Sequence, residues 1–587
     1  MLMGFLHQIR VAMFLFWPVW IPMTAAAAVF VACAVGWAAS PIAQKPSVSF
    51  IRTGRKRSRG AVAAMTLLGL FLAGYIAMIL AWENFTYLDN SSFTLYTLRG
   101  HDIAPPILPG VGRFFPLGFQ EFNLIRHFTN TITGYDAVRI AQLLVFSWVL
   151  LILDDELSIN ARVAIVLLAL ITPSILTSFG RLIYFEANVL LCIVCLALFV
   201  KRFEQTQSVA WAVAAAVCAQ IMLYYKEIAS LLLLGFAVSR LVLRCRSTDE
   251  GSWDYSRLWD KESRLDLSLA FLAVLFLLYY LGVMLPHPTM DYAEARRRPL
   301  AELFLGYIKV DLLALSFVGI ALFRTYLIVR CKITPSLFWD GLAFGGVACF
   351  VGYLGLGMWV ASKHYSAPVD LIALLYVGRL ASLSVARMHL WGKVVALALL
   401  LAVVLEDVSL SAFRVFEEKS VMHAKDEIAQ VVLARYQNAA GDLPRLFFPF
   451  ANRYIIKEFA SYLDYRGVPV EGIMGASSGL KSVSVATRAM TKDGPCGSIV
   501  TLLRHVICHA DATPAPGDLV IVLPDDNQSL AEINSYRAQG ELLFSSEPGI
   551  PQSLYPFIRS LPIVSPFDIT IRELRDGWLH ASVTAWK

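Results

Sequence analysis

Charge is scarce in this chain. Only 16% of its 587 residues are Asp, Glu, Lys or Arg, while 57% are hydrophobic. That imbalance excludes an ordinary soluble protein and points to a polytopic membrane chain. Histidine and cysteine are few as well, ten and nine. Seven of the cysteines lie in or beside apolar runs, where cysteine packs as a small residue. Only Cys496 and Cys508 fall in the C-terminal part, where an oxidising compartment would let them close GPCGSIVTLLRHVIC as a disulfide. His505 and His509 share that stretch at helical i, i+4 spacing, but no acid or cysteine pair completes a metal site with them. No ligand set demands a cofactor, and dependence on a divalent metal stays open. Internal repeats and low-complexity tracts are absent. So is a basic surplus of the kind nucleic acid selects, because the net charge of +6 comes mostly from short loops between apolar runs.

What is present is a series of apolar runs. A hydrocarbon core about 30 Å thick needs roughly 20 apolar residues per helix. Runs at 11–39, 61–82, 136–153, 162–180, 187–201, 208–224, 228–243, 265–285, 305–328, 337–360, 366–384 and 393–409 give about twelve spans by that measure. The first is too long for a signal peptide and lacks a charged start, so it reads as an uncleaved helix. Lys45, Arg52, Arg55, Lys56, Arg57 and Arg59 fix the loop at 44–60 on the cytoplasmic side. Alternation then puts RCRSTDEGSWDYSRLWDKESR, the Arg330–Lys332 turn and ARMHLWGK inside as well. Arg296 to Arg298 are the exception, three positive charges on the outer side. The expected organisation is a helix and basic loop at 1–60, a transmembrane module at 61–409 with a large outer loop at 83–135, and an outer α/β or α+β domain at 410–587. In that last part a helical stretch, EEKSVMHAKDEIAQVVLARYQN, precedes strand candidates RLFFPF, GDLVIVLPDDN and WLHASVTAW.

The spans look nearly free of charge at mid-membrane, which argues against ion-coupled transport. Polar residues collect instead in four stretches on the predicted outer side. One is the loop YLDNSSFTLYTLRGHDIAPPILPGVGRFFPLGFQEFN, residues 87–123, with Asp89 and Asp102 near its start and Arg113 and Glu121 among aromatics. Its length marks it as functional or disordered, and its apolar content favours an ordered cap. The others are GRLIYFEAN with Arg181 and Glu186, YYKE with Lys226 and Glu227, and SKHYSAPVD with Lys363, His364 and Tyr365. Each has a plain alternative reading as a boundary turn or interfacial anchor, and D-N-S-S at 89–92 is turn chemistry in its own right.

With YLDNSSF following a long apolar run, the layout resembles the GT-C superfamily of polytopic glycosyltransferases. Those enzymes have many spans, a large outer loop with an essential acid soon after the preceding helix, and often a soluble C-terminal domain on the same side. The resemblance implies an inverting transfer of sugar from a polyprenyl-phosphate donor to a glycan, lipid or protein acceptor. It makes Asp89 the expected general base with Asp102 in reserve, and Arg113, Lys226, Lys363 and His364, with Arg181 behind them, the expected partners of the lipid phosphate. It also implies a bacterial inner-membrane location with the C-terminal domain in the periplasm. An O-antigen-type polymerase or ligase, leaning on outer Arg and His residues, and a transporter or flippase of lipid-linked glycans are the rival readings.

Overall fold

Most of the apolar runs form helices. The structure, a computed structural model, describes residues 59–80, 96–108, 112–246, 253–260, 263–284, 311–356, 363–384 and 389–438, the isolated positions 301, 303 and 307, and from 444 onward the strands named below with short flanking pieces. The expected first span, Asp89, Arg296 to Arg298 and Cys496 lie outside the described residues.

Helices α1 (Arg59–Leu80), α3 (Ile132–Leu153), α9 (Arg264–Tyr279, extended by a π turn to Met284), α10 (Leu312–Val329), α11 (Leu337–Gly355) and α12 (Ala367–Ser384) are long and apolar enough to cross a membrane. A seventh is α4 (Ile159–Ile171) with α5 (Pro173–Gly180), if that bent pair counts as one span. Between α1 and α3 lies the short helix α2 (Gln120–Ile125). Helices α6 (Glu186–Thr206), α7 (Val209–Tyr225) and α8 (Ala229–Cys245) complete the described bundle before α9. Among the described residues six helices, or seven with the bent pair, meet that length and apolarity, and the expected first span lies outside them.

The run at 162–180 is not straight. Thr172 ends α4 with both its amide and its hydroxyl bonded back to the Leu168 carbonyl, and Pro173 opens α5 at a 68° angle. Proline has no N–H to continue the ladder, and a hydroxyl back-bond loosens the turn before it. Close packing elsewhere rests on glycine. A Cβ on Gly345 of α11 would meet the Leu232 carbonyl of α8 at 2.8 Å, and one on Gly235 of α8 would meet Ala348 at 2.7 Å. Small residues let the two backbones touch, which in lipid replaces the hydrophobic drive that water would supply.

Charges inside these helices are more numerous than the sequence reading allowed, and several are paired between helices. Arg240 is buried against Asp266 at 2.7 Å and Glu204 at 2.6 Å, and Arg324 of α10 holds Asp340 of α11 at 2.6 Å. The expected last span and the helical stretch after it are one element, α13 (Leu390–Gln437), 48 residues long. Its membrane half meets the bend: Thr172 Oγ1 shares its one proton between the Leu168 carbonyl at 2.8 Å and Asp407 at 3.0 Å, and Ser411 Oγ donates to the Ile171 carbonyl at 2.6 Å. Its far half lays Ala424, Ile428, Ala429 and Val432 on a second hydrophobic core.

That second core belongs to a seven-stranded sheet. Its strands are β3 (Leu446–Phe448), β4 (Gly472–Gly475), β5 (Ile499–Val500), β6 (His505–Ala510), β7 (Leu519–Val522), β8 (Gly540–Ser546) and β9 (Ala581–Trp586). The order is β5-β6-β4-β3-β7-β9-β8, parallel from β6 to β7 and antiparallel at both edges. The three expected strands are all present, and helix α14 (Leu530–Arg537) leads into β8. His505 and His509 lie in β6 and not on a helix, and four residues of strand span about 13 Å, so they do not stand one helical turn apart as a ligand pair would.

Candidate functional site

The outer loop supplies a clamp before it supplies any chemistry. A two-stranded hairpin, β1 (Ile107–Leu108) with β2 (Arg113–Phe114), turns through residue 112, a glycine at φ 66° whose carbonyl accepts from Tyr280 Oη at 3.0 Å. Positive φ of this kind favours glycine because it lacks a Cβ. The hairpin ends on an aromatic plug. Phe114 is buried against Tyr224, Phe276 and Tyr279. Phe115 stacks on Phe185 with centroids 5.1 Å apart. The cap expected from the apolar content of this loop is therefore present in its described part.

The plug docks on the YYKE turn. Glu227 Oε1 accepts from Arg113 Nε and from the Phe114 amide, both at 2.9 Å, and the Leu117 amide donates to the Tyr224 carbonyl at 3.1 Å. One residue earlier, Lys226 enters a buried ion pair with Glu186 at the first turn of α6. Lys226 is only 5% exposed and Glu186 2%. The ammonium also lies 4.8 Å from the Phe185 ring and 4.2 Å from the Tyr365 ring. Such contacts favour a desolvated cation. The GRLIYFEAN turn follows from the bend, because α5 runs off the α4 axis and delivers Arg181 at its end. Arg181 Nη1 donates to Tyr184 Oη at 2.6 Å, and the Tyr184 ring stacks on His364 at 4.0 Å.

All four expected polar stretches therefore meet. Contacts run from Arg113 to Glu227, through its neighbour Lys226 to Glu186 and Tyr365, and from Tyr184 to His364. Beneath His364, Asp370 of α12 accepts from Ser174 of α5 at 2.5 Å and from Ser366 at 2.9 Å. Three cations, Arg113, Arg181 and Lys226, stand with three carboxylates, Glu186, Glu227 and Asp370, so the formal charges of the described cluster balance.

Several expected roles change with this geometry. Lys226 and Glu227 stand in the turn between α7 and α8, and that turn is largely buried. Each is held by a partner from another loop. Arg113 is paired with Glu227. Asp102, the reserve base, pairs with Arg126 at 2.6 Å and has a side chain 65% exposed. Glu121 joins a different chain of contacts: Asn188 Nδ2 donates to its Oε1 at 2.9 Å, Gln142 donates to Asn188 at 2.7 Å, and Arg139 donates to Gln142 at 3.0 Å. Burial pushes the Glu121 carboxyl above its ordinary range, with Arg139 and Asn188 pulling the other way. Lys363 opens the short helical turn Lys363–Ser366 beside His364.

The sequence reading missed Arg139, Gln142, Asp370 and Asp407. A charged or amide residue inside an apolar run was the available signal. Among the described residues no group of three or more His, Cys, Asp or Glu is arranged to hold a metal ion. No family model matches this chain, and neither a curated protein nor a solved structure does.

Proposed function

We propose that this chain is a membrane glycosyltransferase resembling the GT-C type, working at the outer end of its helix bundle on a polyprenyl-phosphate-linked sugar. The observation that carries the reading is the meeting of four separate polar turns in one cluster where arginine, lysine and histidine stand among carboxylates beneath the packed hairpin. A phosphate entering from the bilayer needs such a place, because arginine can share its five donors between a carboxylate and a phosphate while lysine acts as a point charge. In this reading the chain has about twelve spans by the length its apolar runs require, and α13 carries the sheet to the same outer side as the cluster.

The acceptor hydroxyl attacks the anomeric carbon from the face opposite the phosphate. Its oxygen forms the new bond as the carbon–oxygen bond to phosphate breaks, and a carboxylate takes the proton. Asp89 is the proposed base, on the resemblance of YLDNSSF. The charge left on the lipid phosphate is met by Arg113, Arg181 and His364. Glu186 and Glu227 hold the neighbouring cations in place before the donor arrives. Transfer to Arg and His as the principal groups would instead suit a polymerase or ligase of lipid-linked glycans, and the stacked Arg181, Tyr184 and His364 favour that second reading.

One experiment separates them. Purified protein in lipid nanodiscs is given a synthetic polyprenyl-phosphate sugar and a mixed acceptor pool, and sugar transfer is followed for Asp89→Asn, Asp102→Asn, Arg181→Gln and His364→Gln. Loss of transfer with Asp89→Asn, in a folded variant, supports the first reading. Full transfer by both aspartate variants with loss in the other two selects the second, and absence of transfer by the parent sinks both.

A further inference from the structure

A groove of about 630 Å³ runs between α1, the bend of α4 and α5, and α13. Phe71 and Met78 form one wall, Leu176 the floor beside the bend, and Val408 and Val415 the other wall. Its far end changes character, with Lys419, Ser420 and His423 lining it. The helix sets the scale. From Val408 to His423 is 15 residues, or about 22 Å at 1.5 Å per residue. One leaflet of a bilayer, hydrocarbon plus headgroup, is about 20–22 Å thick. Val408 and Ala412 are exposed, so the groove is open sideways.

We propose that this groove holds one phospholipid of the outer leaflet with an anionic headgroup. Its acyl chain lies along Phe71, Met78 and Val408, and its phosphate sits against Lys419, Ser420 and His423. The match is one of length and charge together: apolar over the depth of a tail, cationic and hydroxylic over the depth of a phosphate. His423 Nε2 lies 3.5 Å from Glu427 Oε1, so the phosphate competes there with a carboxylate, and Lys419 is the principal cation. The occupant is an ordinary bilayer lipid, independent of any sugar donor. It touches the bend directly, since Leu170, Ile171 and Leu176 line the same groove.

The test uses the full chain in nanodiscs containing a phosphatidylglycerol with a photoreactive group in its tail. Crosslinked peptides are mapped, and lipid retained after extraction is counted by native mass spectrometry. The expected result is one phosphatidylglycerol per chain, crosslinked to α1 and α13. Retention should fall about fivefold in Lys419→Gln, since one basic side chain near a lipid surface contributes on that order. Ala412→Trp, which fills the groove from its open side, should abolish the crosslinks. If the tryptophan variant fails to fold, Lys419→Gln alone decides, and unchanged retention refutes the site. Equal retention of phosphatidylcholine removes the anionic preference on which the argument rests. Crosslinks confined to other helices, or displacement by an equimolar polyprenyl phosphate, overturn the proposed occupant.

Discussion

Removing the ammonium of Lys226 tests whether the cluster at the outer end is held together as described. In Lys226→Met the carboxylate of Glu186, 2% exposed, loses its ion-pair partner, while methionine keeps most of the contact with Phe185 and Tyr365. Breaking one side of a buried pair costs about 3–5 kcal/mol, because the remaining charge stays desolvated. Loss of the cation–π contacts adds up to about 2 kcal/mol. Glu186→Gln leaves the lysine between its two rings with an amide oxygen still able to accept, so a smaller cost of about 2–3 kcal/mol follows. The double variant buries no unpaired charge and should sit within about 1–2 kcal/mol of the parent. The assay is reversible unfolding in mixed detergent micelles, followed by tryptophan fluorescence, for the parent, both single variants and the double variant. The expected signature is a coupling energy of about 2 kcal/mol or more between the two positions. Costs that simply add, or single variants each within about 0.5 kcal/mol of the parent, would refute the ion-pair argument and with it the view that these groups are held before substrate binds.

Other outcomes follow from particular contacts. Gly345→Val drives a side chain into the Leu232 carbonyl, and unfolding should show a loss of about 2 kcal/mol or more, as overpacked cores do; an unchanged midpoint would mean that α8 and α11 are not so close. Burial holds the Glu121 proton more tightly in the folded chain than in the unfolded one, so its contribution is full at low pH and is lost as pH rises from about 4 through the folded value. Unfolding midpoints of Glu121→Gln should therefore lack that decline, and identical pH profiles for variant and parent would count against the burial. Cys331, exposed in the turn after α10, should react with a membrane-impermeant maleimide from the cytoplasmic side of sealed vesicles, and labelling from the outside would reverse every side assignment.

Sequence carried the helices better than their joints. Apolar runs reported their own positions within a few residues, because a helix in lipid must be apolar over its whole length. The bend at Thr172 was invisible as a 68° turn, since a proline between apolar stretches reads equally as a gentle kink. Helix α13 was read as two elements for a related reason: apolarity ends near residue 410, but helical hydrogen bonding does not. Polarity alone marked the four turns. Their meeting depended on the hairpin at Arg113 reaching the turn at Glu227, a separation of 114 residues that no local pattern encodes. Arg139 and Asp407 were passed over because a lone polar residue in a hydrophobic run gives no hint of its partner.

The 48-residue α13 has a mechanical consequence. A continuous helix of that length is about 72 Å long. With its near half fastened at the bend through Asp407 and Ser411, and its far half built into the sheet core, it acts as a lever with its fulcrum at the bend. A tilt of about 5° over the outer 27 residues, about 40 Å of helix, swings its tip by about 3.5 Å. Arg181 lies at the end of the short arm α5, on the same joint. Any partner that grips the sheet thereby gains a handle on the angle at which Arg181 is presented, and any ligand that straightens or sharpens the bend moves the sheet.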